Sequence, residues 1–577
     1  MAKKLSFLSL VIFFVMLASH GQSRHLIDYP SSSMVSDGVN SSFNHQQQAF
    51  IRLYNFLSDS SCDETYGFLP CTTTILGNIF LILVYGCLMF LSAKLLSDGS
   101  EILLQILGPG IIGGLLLPVL SCLPDAAIIL ASGLSGSKET AQSQVSVGMG
   151  LMAGSTVLLL TLLWGSCLIV GKCDIESSVA VDSKDTKIFS LTGSGVTTDI
   201  GTSYAARIMV ISVIPFIIAQ LPQILHKTSQ SHLAVLVSLI VSPALLFCYS
   251  LYQILQPWIQ RRRIAYAKHK KMISGILKDL KIHALGRLFT ANGQPNKDVI
   301  QKLFNTIDNN SDGYLTAAEL RALILGIRFE ELDIDIDDAV DQVLKDFDTS
   351  GDTRVDMDEF IHGISRWLDE ANHSAKHFNN HRRGTSKLLT DFDKQTEKEQ
   401  APSGDKKDDS AETSLENPKW NATKAVMMLL LGTVIAAVFA DPLVDAVDNF
   451  STATSIPTFF VAFVILPFAS SSEVVSDLIF ASRKNSRSAS LAYSEIYGSV
   501  TMSNVLSLSV FLGLVYFRGL TWNFSSEVLL ILIVCVVMGL IASFRTTFPV
   551  WMSLVAYALY PFSLLLAYVL NYVLGWS

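Results

Sequence analysis

The chain has 577 residues, of which 50% are hydrophobic and only 16% charged, and its mean hydropathy is +0.42. A soluble chain carries about 25% charged residues, so much of this one belongs in lipid. A formal net charge of -8 excludes a basic nucleic-acid binder. Eight Cys are too few for a disulfide scaffold. Cys87, Cys122, Cys167, Cys173, Cys248 and Cys535 lie in or beside apolar runs, as small hydrophobes do. Cys62 and Cys71 share a polar segment and can pair if that segment is outside the cytosol.

In chain order, Lys3 and Lys4 followed by an apolar core over 5–18 read as a secretory signal over 1–21. A polar extracytosolic tail over 22–72 follows, with Asn40-Ser-Ser as a glycosylation acceptor of low specificity. Apolar runs long enough to cross a bilayer lie near 74–96, 102–130, 144–170, 204–225 and 232–256, in a membrane half over 73–258. A basic linker (259–295), a globular block (296–370) and a flexible polar linker (371–423) come next. The second membrane half, 424–577, holds runs near 424–446, 456–480, 489–517, 526–544 and 549–576. Arg261 to Arg263 after the fifth span, Arg483, Lys484 and Arg487 after the seventh and Arg545 after the ninth read as cytosolic. Asp441, Asp445 and Asp448 read as an acidic outer loop after the sixth. The central block is then cytosolic.

Two apolar runs contain carboxylates. Ser121-Cys-Leu-Pro-Asp125 ends a patch that begins Gly108-Pro-Gly, and Leu466-Pro-Phe-Ala-Ser-Ser-Ser-Glu473 is its counterpart in the second half. A charge at membrane depth costs roughly 2.5–3.5 kcal/mol on insertion scales and persists where it faces a cavity, a partner or an ion. Neither run contains Lys or Arg. Proline frees backbone carbonyls, and these with Ser121, Ser471 and Ser472 are hard oxygen donors suited to Ca²⁺ or Na⁺. Ser503 and Asn504 in the eighth run are further candidate ligands, Glu495 is either buried or solvated at the interface, and Asp477 is a supporting candidate. Small residues such as Gly148, Gly150 and Gly154 read as helix-packing positions. The two patches occupy spans of opposite sense, as inverted repeats do.

The block over 296–370 carries an EF-hand loop: Asp308, Asn310, Asp312, the Tyr314 carbonyl, Thr316 and Glu319 at ligand positions, with Gly313 at the sharp turn. A second loop offers Asp348, Ser350, Asp352, the Arg354 carbonyl, Asp356 and Glu359. Its turn position is Thr353, and a β-branched residue there predicts strain and a weaker or distorted Ca²⁺ site. The histidines at 373, 377 and 381 read as a solvated run. The basic stretch suits either an anionic membrane surface or an EF-hand groove.

This arrangement resembles the cation/Ca²⁺ exchanger superfamily, and with EF-hands between two five-span halves it is most similar to the plant sodium/calcium exchanger-like proteins. The chain departs from the pattern at Leu123-Pro124 and Ser471-Ser472, where many calcium/proton members have Gly-Asn before the acid. The resemblance implies an all-α polytopic protein with two inverted-topology halves and an inserted EF-hand pair. It implies a transporter rather than an enzyme, exporting cytosolic Ca²⁺ against Na⁺ or H⁺ at the vacuolar or plasma membrane, under EF-hand control, in calcium homeostasis. The sequence leaves open a Ca²⁺/H⁺ or Mg²⁺/H⁺ exchanger and a membrane-anchored Ca²⁺ sensor without transport. An intramembrane aspartyl protease is excluded by the lack of a Gly-x-Gly-Asp context. Beyond lipid and ions, the sequence names no partner.

Overall fold

The computed structural model describes residues 69–108, 117–134, 137–264, 273, 296–379 and 418–573, with short gaps at 177, 183, 187–189, 225–230, 257–258, 326–335, 349 and 351. The signal, Asn40, Cys62, most of both linkers and the Gly-rich start of the first patch lie outside the described residues. Cys71 is disulfide-bonded. The chain divides into two compact units, one of residues up to Ile259 with Pro418–Ser577, the other Gln260–Asn417.

The membrane unit begins with α1 (Ile75–Leu107), α2 (Leu117–Ser121) and α3 (Leu123–Leu134). Next, α4 (Lys138–Leu158) runs through a π-helical turn (Leu159–Leu163) into α5 (Trp164–Val170). Strands β1 (Cys173–Glu176), β2 (Val179–Ala180) and β3 (Ser194–Thr197) precede α6 (Ile200–Ile211), α7 (Ile214–Ile224) and α8 (Ser231–Leu255). The second unit comprises α9 (Lys297–Ile307), β4 (Tyr314–Leu315), α10 (Ala317–Leu325), α11 (Ile336–Phe347), β5 (Val355–Asp356) and α12 (Met357–Asn379). The chain returns to the membrane unit with α13 (Pro418–Thr454), then the bent pair α14 (Thr458–Ser470) and α15 (Glu473–Ala481). Helix α16 (Ser486–Met502) continues through a π turn (Ser503–Ser507) into α17 (Leu508–Arg518). Helix α18 (Ser525–Phe544), β6 (Thr547–Pro549) and α19 (Trp551–Tyr568) complete it.

Eight described helices are long and apolar enough to cross a membrane, and α14 with α15, bent by 68°, supplies a ninth. The span expected over 102–130 is redrawn. Residues up to Leu107 belong to α1, and α2 and α3 are separate short helices. Charges in the last turns of α1 end the hydropathy signal but leave every backbone hydrogen bond intact, so the helix runs on. The same physics corrects a second expectation: Asp441, Asp445 and Asp448 are not in a loop but on α13. Helix α12 likewise continues to Asn379, past the expected start of the linker.

The two halves share one local plan. Lys138–Val170 and Ser486–Arg518 are both continuous 33-residue spans. In each, the π turn opens on the fourth residue after a Gly-Ser pair, Gly154-Ser155 in one and Gly498-Ser499 in the other. A π turn inserts a residue into the helical ladder and often marks a functional position. The glycines also set the packing. A Cβ on Gly154 would stand 2.3 Å from the Phe463 carbonyl oxygen, and one on Gly150 would stand 2.8 Å from that of Phe459. Only a bare backbone lets α4 lie this close to α14.

A small antiparallel sheet, in the order β2-β1-β3-β6, was not expected from sequence. It pairs Val196 with Phe548 and Cys173 with Gly195, gathering the segments after the third and ninth spans. Asp185 joins the segment after the seventh span to them, bonding Lys172 at 2.6 Å and Lys484 at 2.5 Å. These two ammonium groups hold the Asp185 carboxyl below the usual carboxylate range. The three segments must share a face if the spans alternate, and here they do. Beneath the sheet, Trp164 is fully buried, donates from Nε1 to the Tyr497 hydroxyl at 2.7 Å, and meets Tyr493 and Phe548 edge-on. Burying such a ring contributes about 3 kcal/mol or more, and these contacts tie α5, α16 and β6 together.

Candidate ion-binding sites

Both membrane carboxylates stand where a span is interrupted. Pro467 offers no N–H, so the Phe463 carbonyl one turn back has no donor in its own helix. Helix α14 stops at Ser470, and α15 restarts at Glu473. Ser471 and Ser472 fill the break, half-buried. In the first half Asp125 sits in the opening turn of α3, after Pro124. Both carboxylates thus lie at a helix N-terminus, where the unspent N–H groups favour negative charge.

These breaks bring the two acids together. Asp125 faces the Ser470 hydroxyl and lies in the field of Glu473. Cys122 lies in the field of both charges. Glu473 accepts a hydrogen bond from Ser499 Oγ of α16. Ser470 is 6% exposed, and its Oγ has no partner other than the Asp125 carboxylate that it faces. Among the described residues no Lys or Arg pairs with either carboxylate. Two carboxylates with a serine hydroxyl beside each and no ion-paired Lys or Arg among the described residues make a site whose charge suits a cation.

The other candidates divide. Ser121 Oγ donates to the Pro118 carbonyl at 2.9 Å, and so closes its own turn. The Ser503 hydroxyl is buried without a partner and remains available. Asn504 ties distant elements together through its side-chain amide. It accepts from Thr156 Oγ1 at 3.1 Å and donates to Ser212 Oγ at 3.0 Å and to Cys535 Sγ at 3.7 Å. Glu495 and Asp477 are both buried, which removes the solvated alternative for Glu495. Ser470, Ser499 and Cys122 belong to the site although sequence reasoning did not select them. The run of three serines offered no rule for choosing, and only the bend decides which one turns inward.

In the second unit the two loops close alike. Gly313 N donates to Asp308 Oδ2 at 3.0 Å, and Thr353 N to Asp348 Oδ2 at 2.8 Å. Tyr314 N and Arg354 N each donate to the aspartate two residues earlier in the same loop, Asp312 and Asp352, at 2.9 Å. Glu319 and Glu359 accept from Thr316 N and Asp356 N at 3.0 and 3.1 Å. The Thr316 backbone N–H, with further donors, holds the Glu319 carboxyl below the ordinary range. Tyr314 pairs with Asp356 and Leu315 with Val355 in a two-stranded ladder that couples the loops. The expected strain is present, since Thr353 takes φ 65° where Gly313 takes 83°. Otherwise the second loop keeps the geometry of the first. Phe304, Phe347, Phe360 and Trp367 form the aromatic core beneath.

A resident Ca²⁺ fits this unit. Asp308 Oδ1 is buried without a partner, which is the signature of a ligand oxygen awaiting its ion. Asp308, Asn310, Asp312, the Tyr314 carbonyl and Glu319 would hold one ion, and Asp348, Ser350, Asp352, the Arg354 carbonyl and Glu359 the other.

Acids at two broken spans, in a unit of helices long and apolar enough to cross a membrane, with an EF-hand pair inserted in the chain, define the class as a polytopic membrane protein. Residues 77–258 and 424–569 match the sodium/calcium exchanger protein family, and residues 297–365 match the EF-hand domain pair. The chain belongs to the sodium/calcium exchanger protein family. It is 57% identical to the sodium/calcium exchanger NCL of Arabidopsis thaliana over 98% of this chain and 99% of that protein. It is 59% identical to the rice sodium/calcium exchanger NCL1, over 90% of this chain and 88% of that one. These relatives are named as exchangers, so the class is a transporter and not an enzyme.

Proposed function

We propose that the protein exchanges Ca²⁺ for Na⁺ through one site made by Asp125 and Glu473. The observation that supports this reading is that Asp125 lies in the field of Glu473, from the other half, while among the described residues neither carboxylate is ion-paired to Lys or Arg. Ca²⁺ neutralises both acids at once, with Ser470 and main-chain oxygens completing its shell, and Ser471, Ser472, Ser121 and Ser503 lining the approach. Na⁺, or H⁺ in the competing case, occupies the same oxygens in the return state. Mutual exclusion at one site open to one side at a time obliges exchange. The halves run in opposite senses, so a rocking or sliding of one against the other switches access. The printed names of the relatives favour Na⁺ as the counter-ion.

The EF-hand pair reads cytosolic Ca²⁺ and biases that switch, because an ion-loaded EF-hand can open and expose an apolar groove. The basic residues flanking the spans support a cytosolic position for this unit. Export of cytosolic Ca²⁺ at the vacuolar or plasma membrane, in calcium homeostasis, is the role this arrangement serves. The test is ⁴⁵Ca²⁺ movement into vesicles holding the purified chain, first under a Na⁺ gradient and then under a pH gradient. Na⁺-driven uptake that disappears in Glu473→Gln supports the reading. Uptake driven only by the pH gradient replaces Na⁺ by H⁺. No uptake under either, with intact Ca²⁺ binding, leaves a membrane-anchored sensor.

A further inference from the structure

The seam between α1 and α13 holds a second group of oxygen donors that the Asp125–Glu473 pair does not use. Gln144 of α4 donates from Nε2 to Asp445 Oδ1 of α13 at 3.0 Å. Its other amide atom, Oε1, has no partner although Gln144 is 5% exposed. Tyr85 of α1 stacks on Phe439 of α13 with ring centroids 6.1 Å apart. Its hydroxyl lies in the field of Asp445. That hydroxyl, on a residue 4% exposed, bonds to nothing. Asp448, on the next turn of α13, lies beside Asp445 and accepts from Thr458 Oγ1 at 3.4 Å. Asn78 stands two turns before Tyr85 on the same face of α1. It is fully buried, and both its amide atoms lack partners.

Buried polar groups are paired in native structures, and an unpaired one calls for an explanation such as an unseen ion. Here three side chains, Gln144, Tyr85 and Asn78, carry buried polar atoms without a partner along one seam, the first two beside a carboxylate. A tyrosine hydroxyl beside a carboxylate would ordinarily turn its proton to it, so a phenol that stays unbonded there leaves its oxygen free to ligate. We propose that this seam binds Ca²⁺, with Asp445 and Asp448 supplying charge and Gln144 Oε1 and the Tyr85 hydroxyl supplying neutral oxygens. All four are hard donors of the kind Ca²⁺ selects. Among the described residues no third acidic, His or Cys side chain joins them, which suits an ion bound in passing rather than held. The donors come from α1 and α4 of the first half and α13 of the second, so a bound ion ties the halves together. Asn78 extends the polar track along α1.

The site is tested by equilibrium ⁴⁵Ca²⁺ binding to the full-length chain in detergent, with both EF loops silenced by Glu319→Gln and Glu359→Gln. Asp445→Asn is expected to remove one bound ion, Glu473→Gln a different one, and the combination both. Tyr85→Phe, which leaves every other contact in place, is expected to weaken the Asp445-dependent ion by about threefold or more with an unchanged unfolding temperature. Loss in Asp445→Asn alone, with Glu473→Gln silent, supports this site and sinks the central one. Should Tyr85→Phe raise thermal stability and leave binding untouched, its hydroxyl is merely a frustrated core group and the proposal fails. It fails equally if Asp445→Asn, folded by the same thermal criterion, keeps the full complement of ions.

Discussion

The EF loops and the membrane acids both present carboxylate oxygens, yet they hold their charge differently. In the loops the carboxylates already accept backbone hydrogen bonds, from Gly313, Tyr314 and Thr316 in one and from Thr353, Arg354 and Asp356 in the other. Those bonds keep the loop in shape without the ion. Between the membrane halves, Glu473 has the Ser499 hydroxyl and Asp125 faces Ser470, while no backbone donor bond is described to either acid. A sensor must keep its form while waiting for its ion. A carrier site gains nothing from internal partners that compete with the cargo, and an uncompensated pair makes occupancy by some cation the favoured state.

The largest effect that would break this contrast is expected at the membrane pair. Glu473→Gln or Asp125→Asn should cut vesicle Ca²⁺ flux roughly tenfold to a hundredfold, because a charged ligand contact contributes about 1.5–3 kcal/mol. The same substitutions should raise thermal stability in Ca²⁺-free buffer, since each relieves repulsion between two buried like charges. Glu319→Gln should act in the opposite sense on the Gln260–Asn417 unit. Calorimetry should show Ca²⁺ binding at that loop weakened about tenfold or more, with a lower unfolding temperature of the ion-free unit. A rise there would erase the distinction between the two kinds of site.

Smaller effects sharpen the comparison. Thr353→Gly should stabilise the second loop by about 1 kcal/mol and tighten its Ca²⁺ binding about fivefold, because glycine takes φ 65° without a Cβ clash. An unchanged affinity would show that the strain is absorbed elsewhere. The loop acids also predict a pH response. With its folded pKa depressed by donors from Thr316, Glu319 contributes stability that is present above the ordinary glutamate value of about 4.3 and is lost as pH falls through the lower folded value. Thermal unfolding of the ion-free unit should therefore weaken on acidification below about pH 4, and less so in Glu319→Gln. Ser499→Ala, which removes one donor from Glu473, should lower flux only a few-fold.

Much of this was legible along the chain because the signals are local. An EF loop is a run of twelve residues in which side-chain type and spacing specify geometry, and Thr353 announced its own strain. Most spans followed from apolar length, although the ten expected are met among the described residues by eight long helices and one bent pair. Helix ends were misjudged where charge was taken for a boundary, as at the α1 terminus and at Asp441 to Asp448, since a helix carries its hydrogen bonds past a polar stretch that hydropathy reads as a loop. The β-strands around Val196 and Phe548 were invisible because each is short and its partner lies hundreds of residues away.

Sequence alone determined that two acids lie inside apolar runs, each after proline and serine, and that an EF-hand pair is inserted between the halves. Those facts depend on residue type and near neighbours. Tertiary structure decided which oxygens meet: Ser470 rather than its two neighbours toward Asp125, Ser499 onto Glu473, Asn504 committed elsewhere. It also decided that Tyr85 and Gln144 converge on Asp445. The physical reason is that a helix bend or a crossing rotates side chains by amounts no linear pattern encodes, and only the packing of distant spans fixes where each polar atom points.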